Sequence, residues 1–123
     1  MPKKKFSIRV KRIYKSPNPD DGFRILVDRL WPRGIQKDDA KIGLWLKEIA
    51  PSDVLRKWFN HVPEKWKELK SRYVKELDQN QDLVDQLTRH VRKGAVTFLF
   101  SAKDESYNNA VALRENFLDR KKE

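Results

Sequence analysis

Residues 16–34 read Ser16-Pro17-Asn18-Pro19-Asp20-Asp21-Gly22-Phe23-Arg24-Ile25-Leu26-Val27-Asp28-Arg29-Leu30-Trp31-Pro32-Arg33-Gly34. The first seven are dense in turn formers. The continuous apolar run Ile25-Leu26-Val27 that follows predicts a strand over residues 23–30, covered on both faces. Upstream, Phe6, Ile8 and Val10 alternate with Ser7, Arg9 and Lys11, a period of two that predicts a half-buried strand with a cationic outer face. About eight residues join the two strands, too few for a crossover between parallel neighbours. They are therefore antiparallel if they pair directly; if they are parallel, another strand lies between them.

Downstream the periodicity changes to that of helices. Ile42, Trp45, Leu46 and Ile49 are spaced i, i+3, i+4, i+7, which predicts a helix ended by Pro51. Ser52 is a good N-cap for a second, with Leu55, Trp58, Phe59 and Val62 inward. Pro63 opens a third on Trp66, Leu69, Tyr73 and Leu77. Asn80 caps a fourth on Leu83, Val84, Leu87 and Val91, and Gly94 closes it. A strand at 95–100 and a helix from about Asp104 to Leu118 complete an α/β chain: one small mixed or parallel sheet flanked by about five helices in a single domain. The domain spans residues 6–119, between a basic arm at 1–5 and a tail at 120–123.

At 123 residues and 14.7 kDa, halves of the chain would be marginal as separate domains. Without cysteine there is no disulfide-linked partner, no thiolate metal site and no cysteine nucleophile. Two histidines make a zinc site improbable, so neither metal nor cofactor is expected. No apolar run approaches the roughly 18 residues of a membrane span, and no signal peptide is evident. A cytoplasmic protein without membrane association is expected. Lysine and arginine exceed acids by 10, and seven of the 28 basic residues (Lys3, Lys4, Lys5, Arg9, Lys11, Arg12, Lys15) lie among the first fifteen, which hold no acid. Such a segment favours acidic partners, and Lys3, Lys4, Lys5, Arg9, Lys11 and Arg12 are candidate nucleic-acid contacts.

Two clusters follow buried strands, where open α/β sheets place ligands. In the first, Asp28, Arg29, Trp31 and Arg33 combine an acid, two planar guanidinium forks suited to phosphate, and a stacking indole. The same residues would also make a structural pair of Asp28 with Arg29 or Arg33, with Trp31 in the core. In the second, Ser101-Ala102-Lys103-Asp104 leads to Asn108 and Asn109. Lys103 and a helix start would attract an anion, unless Asp104 or Ser106 caps the helix and takes that place. His61 is a proton-transfer candidate or a ligand to a helix C-terminal carbonyl. Trp45, Trp58 and Trp66 read as core.

These segments carry a resemblance. Asp28-Arg29-Leu30-Trp31-Pro32-Arg33-Gly34, Leu44 to Ser52, Leu55-Arg56-Lys57-Trp58-Phe59 with His61, and Ala102-Lys103-Asp104 with Asn108-Asn109-Ala110-Val111 together resemble the YeaO-like proteins, a branch of the prokaryotic domain of unknown function 488 family. The match covers residues 7–118. It implies a small, single-domain, cytoplasmic α/β protein and no particular reaction. Many relatives carry Cys, His and Arg after the last strand, and YeaO-like relatives often have histidine before the paired asparagines, where this chain has Tyr107. A tyrosine donates a hydrogen bond but is a poor base near neutral pH.

Three functions compete. One is a module binding a phosphorylated ligand, a nucleotide or nucleic acid, through Arg29, Arg33 and Lys103 with Trp31, Asn108, Asn109 and His61. The second is a hydrolase or glycosyl-type transferase on a nucleotide-like substrate, with Asp28 as base or nucleophile, Arg29 as electrostatic stabiliser and Asn108 or Asn109 orienting the substrate. The third is nucleic-acid binding by the basic N-terminal segment.

Overall fold

The computed structural model describes residues 7–121, leaving Lys3, Lys4, Lys5 and Phe6 outside the described residues. The strands are β1 (Ile8–Arg12), β2 (Phe23–Leu26), β3 (Leu44–Trp45) and β4 (Val96–Phe100). The helices are α1 (Lys37–Ala40), α2 (Asp53–Phe59), α3 (Trp66–Gln79), α4 (Gln81–Lys93) and α5 (Asn109–Lys121). Among the described residues no helix is long and apolar enough to cross a membrane.

All strand pairs are parallel, in the order β1-β4-β2-β3. The last strand in sequence thus lies between the first two, and the second alternative for β1 and β2 holds. Register is continuous: Val10 and Ile25 both oppose Phe98, and Lys11 and Leu26 both oppose Leu99. The turn at 18–22 that precedes β2 is built by its own side chains. Asn18 accepts from the Asp20 N–H, and the Asn18 N–H is returned to the Asp21 carboxylate at 3.1 Å.

The layers on the two faces are unequal. Ile25, Val27, Phe98 and Phe100 pack with Leu69, Tyr73, Leu77, Leu87, Leu113 and Phe117 into the main core. The opposite face is covered by the connections, with Ile13, Leu26, Ala40 and Leu99 under Trp31, Ile35, Ile42 and Trp45. Burial on both faces is why Ile25-Leu26-Val27 is uninterrupted.

The first predicted helix is a correction. Leu44–Trp45 is strand β3, with Ile25 opposite Leu44 and Leu26 opposite Trp45, and a 3₁₀ turn at Lys47–Ile49 follows. Leu44 and Leu46 alternate with Trp45, a period of two that overlaps the helical spacing. Leu44 and Leu46 join the main core while Trp45 joins the opposite layer, and the Leu46 N–H continues the ladder to the Leu26 carbonyl at 3.0 Å. Ser52 caps α2 as expected, accepting from the Leu55 N–H at 3.1 Å. It also gives its own N–H and hydroxyl proton to the Glu76 carboxylate, which ties α2 to α3. Asn80 makes no side-chain cap on α4. Helix α5 begins later than expected, because Asp104 holds a turn of its own and Asn108 is the cap.

Candidate functional site

Parallel order brings the carboxyl ends of β1, β4 and β2 side by side, and a cleft of about 740 Å³ opens above them. Both strand-end clusters read from the sequence border it. So do Arg12 at the end of β1 and Tyr14 after it, and Arg56 and Phe59 of α2. Tyr14 and Arg56 were not among the expected site residues. The rule that singled out residues after β2 and β4 also applies to the end of β1 and would have found Tyr14; Arg56 carries no comparable signal.

Asp28 is the centre of a polar staple. Its Oδ2 accepts from the Ser101 N–H at 2.9 Å and the Ser101 hydroxyl at 2.8 Å, and its Oδ1 accepts from Asn109 Nδ2 at 3.1 Å. Asn109 also donates to the Val27 carbonyl at 3.0 Å. One carboxylate therefore fastens the end of β2 to the end of β4 and the start of α5, and no arginine pairs with it among the described residues. The structural alternative for Asp28 is realised with different partners from those expected. Asn108 is likewise committed to the loop: it is 4% exposed, donates to the Asp104 carbonyl and accepts from the Val111 N–H.

Arg29 reaches the start of α2, where Nη2 donates to the carbonyls of Ala50 at 3.1 Å and Pro51 at 3.4 Å, while its buried Nε has no partner. Arg33 and Lys103 are exposed on the cleft, and neither side chain has a hydrogen bond or ion pair among the described residues. Trp31 is anchored by its indole N–H to the Ile35 carbonyl at 2.8 Å and meets Trp45 edge-on at 5.4 Å. It borders the cleft as a fixed wall.

The candidate nucleic-acid contacts divide. Lys11 is bound to Asp21 at 3.1 Å and to the Ser16 carbonyl at 2.7 Å. Arg12 donates through Nε to the Ser101 and Ala102 carbonyls and lies over the Tyr14 ring, inside the cleft wall. Of the three candidates in β1, Arg9 alone is exposed and without a partner among the described residues.

His61 sits in the left-handed region at φ 57°, directly after Asn60 at φ 47°, on the rim of the cleft. The helix-end carbonyl expected to hold it is taken by Lys65, whose Nζ meets the Trp58 carbonyl at 2.7 Å. Across the rim, the Tyr107 N–H first and the Ser106 N–H second hold the Asp104 carboxyl below its ordinary value, and His61 adds to the effect. Tyr107 packs on Trp66 at 5.3 Å, and Trp66 packs on Phe59 at 6.0 Å, which makes that wall aromatic.

This sequence is similar to a described family along nearly all its length. A model for the inactive DUF488-N3 subclade matches residues 7–123. The uncharacterized protein YeaO of Escherichia coli (strain K12) is 40% identical over 109 residues, covering 89% of this chain and 95% of that one. The chain belongs to the YeaO-like branch of the DUF488 family. The uncharacterized protein Rv3073c of Mycobacterium tuberculosis is 41% identical over 108 residues, 88% of this chain and 91% of that one. No solved structure matches. In this YeaO-like chain Asp28, two residues past β2, and the Ser101-to-Asn109 segment after β4 meet in one staple.

Asp28→Ala removes three hydrogen bonds to a carboxylate and leaves the Ser101 N–H without its acceptor. The expected loss is about 2–3 kcal/mol of unfolding free energy, read by urea titration. A loss under about 0.5 kcal/mol would mean that water replaces the staple without cost.

Proposed function

We propose that the cleft binds a phosphorylated ligand and leaves its covalent bonds intact. The observation that supports this reading is the division of labour among the charged groups. The acid at the end of β2 is consumed by the staple and Arg29 is engaged with the Ala50 and Pro51 carbonyls, whereas the exposed Arg33 and Lys103 point no charge at a protein partner among the described residues. Unpaired guanidinium and ammonium groups beside fixed aromatic walls suit a phosphate carried on a flat or sugar-like group.

Catalysis is less well supported. A base or nucleophile at Asp28 would have to break the bonds to Ser101 and Asn109. The Ser101 hydroxyl gives its proton to Asp28 and has no histidine beside it among the described residues. Tyr107 stands where relatives often carry histidine, and the matching family description is itself of an inactive subclade. We take the protein to be cytoplasmic, in keeping with a composition free of cysteine.

Thermal melting against a panel of nucleotides and sugar phosphates tests the reading. A ligand of the native state raises the midpoint by mass action. Arg33→Ala and Lys103→Ala each remove one charge-assisted contact, so each is expected to weaken binding about tenfold with unchanged unliganded melting. A midpoint unmoved by every member of the panel, or a shift that persists in the Arg33→Ala/Lys103→Ala double variant, would overturn it.

A further inference from the structure

Residues 12–15 tie two loops of the cleft together. Arg12 and Tyr14 stack at the end of β1, with the guanidinium carbon 4.7 Å from the ring centre. Each then bonds backbone on a different side. Arg12 Nε donates to the carbonyls of Ser101 at 3.3 Å and Ala102 at 3.1 Å, immediately before Lys103. The Tyr14 hydroxyl donates to the Arg33 carbonyl at 3.0 Å. Lys15 adds an exposed ion pair to Glu105 at 2.7 Å. The register of β1 on β4 makes this possible, because Arg12 falls opposite Phe100, where the chain enters the Ser101 loop. The Arg12 guanidinium therefore stands between the Lys103 loop and, through the Tyr14 ring, the Arg33 loop. Arg33 and Lys103 are exposed cations that border the cleft.

Only Nε of Arg12 is used in this way. Its two terminal nitrogens are unburied and have no partner among the described residues. The ring stack and the two carbonyls fix the plane of the guanidinium. Its terminal edge is thus presented without the loss of rotamer freedom that Arg33 and Lys103 undergo on binding. No carboxylate neutralises it. Of the acids that border the cleft, Asp28 is held by Ser101 and Asn109, and Asp104 by the Ser106 and Tyr107 N–H groups. Neither is within ion-pair distance of a cation among the described residues. A purely structural arginine would serve as well with that edge in bulk water. Here the residue borders a cleft of about 740 Å³, the size of a small-molecule site.

We infer that Arg12 is the bidentate anchor of the cleft, and that the ligand is a small-molecule phosphomonoester whose terminal phosphate meets Arg12, Arg33 and Lys103 together. The inference rests on the phosphate reading of the cleft and narrows it. A phosphomonoester near neutral pH carries close to two negative charges on three free oxygens. A planar fork takes two of those oxygens, and two further cations answer the third oxygen and the second charge. A diester offers two free oxygens and one charge, and a carboxylate matches the fork alone.

The test is a heteronuclear NMR titration of the full chain with phenyl phosphate and with its diester, methyl phenyl phosphate, at about pH 7.5. The amides of residues 29–34 and 101–105 report the site. Phenyl phosphate is expected to bind at least about tenfold more tightly than the diester. Arg12→Gln should weaken both probes by about tenfold, since both present two oxygens to the fork. Arg12→Lys keeps the stem over Tyr14 and serves where Arg12→Gln does not fold; it should recover only part of the loss, because an ammonium is a point charge. Arg33→Ala/Lys103→Ala should instead abolish the preference for the monoester, a split that a merely structural Arg12 would not produce. Parent-level affinity in Arg12→Gln or Arg12→Lys overturns the anchor, and equal binding of the two probes overturns the monoester. In those cases the cleft amides still respond and the phosphate reading stands. If they respond to neither probe, both readings fall.

Discussion

Asparagine in place of Asp21 is expected to lower the unfolding free energy by about 3–5 kcal/mol, because it leaves a buried guanidinium without its counter-charge. Asp21 is 3% exposed and Arg24 5%. Arg24 Nη1 meets Asp21 Oδ2 at 2.5 Å, Lys11 Nζ adds a contact at 3.1 Å, and the Asn18 N–H adds another at 3.1 Å. Arg24 Nε is held by the Ala40 carbonyl and its Nη2 has no partner, so nothing stands ready to replace the carboxylate. The Asp21 carbonyl accepts from the Thr97 hydroxyl of β4, which pins the connection against the sheet. Asparagine preserves the volume and removes the charge, so the loss reads the electrostatics and not a cavity.

The acid limb of stability provides a second readout. Burial pushes the Asp21 carboxyl up, but the Asn18 N–H, Lys11 and Arg24 together bring it below its ordinary value. A carboxyl with a depressed folded pKa contributes stability above its unfolded value, near about 3.9, and loses it as pH falls through the folded value. The parent should therefore lose stability below about pH 4 more steeply than Asp21→Asn, in urea titrations at each pH. Replacing Arg24 by methionine as well should recover part of the loss, since the buried orphan charge is gone. A cost below about 1 kcal/mol, or equal acid limbs, would show that water reaches the pair and screens it.

The strands of this fold were legible where burial leaves a mark on composition. Ile25-Leu26-Val27 is uninterrupted because β2 is covered on both faces, and Ile8 and Val10 alternate because β1 is an edge. The short connection limited β1 and β2 to two arrangements, and β4 supplied the missing neighbour. What composition does not carry is pairing between segments far apart in sequence. Hence the stretch at 42–49 passed for a helix: its helical spacing overlaps the alternation of Leu44 and Leu46 with Trp45, and only the presence of β2 alongside selects the strand.

The candidate site was legible as two strand ends and illegible as one cleft. Its position follows from the general placement of ligands at carboxyl ends, whereas its internal bonding depends on register. With Val27 bonded to the Leu99 carbonyl, Asp28 falls opposite Ser101 and is consumed. Charge type alone pointed to Arg29 or Arg33 as its partner. The intramolecular partners of Lys11 and Arg12 were illegible for a related reason. The strand pattern gives the face of a side chain, but not that Asp21 and the carbonyls after β4 lie within its reach.

Gly22→Ala is expected to cost at least about 3 kcal/mol. Gly22 has φ 66° and ψ −138°, a region that essentially only glycine occupies. Strain is half of the cost. An alanine Cβ there would lie 2.2 Å from the Ala95 carbonyl oxygen and 2.7 Å from its carbon. That carbonyl accepts from the Phe23 N–H at 3.0 Å and marks where β2 and β4 begin to pair, with Phe23 opposite Val96. Backbone cannot yield here as a flexible side chain would, so relief requires the start of β2 to move off β4. Gly34 is the internal control: its φ of 77° carries the strain, but nothing lies within 4 Å of the added carbon. Gly34→Ala should therefore cost about 1–2 kcal/mol, the conformational part alone. Urea titration of both variants separates steric from conformational cost, and equal losses would show that the close approach of Gly22 to Ala95 is relieved freely. If β2 does shift along β4, Asp28 moves away from Ser101 at the far end of the same strand pair. Ligand binding in the cleft would then fall along with stability, although Gly22 lies at the opposite edge of the sheet.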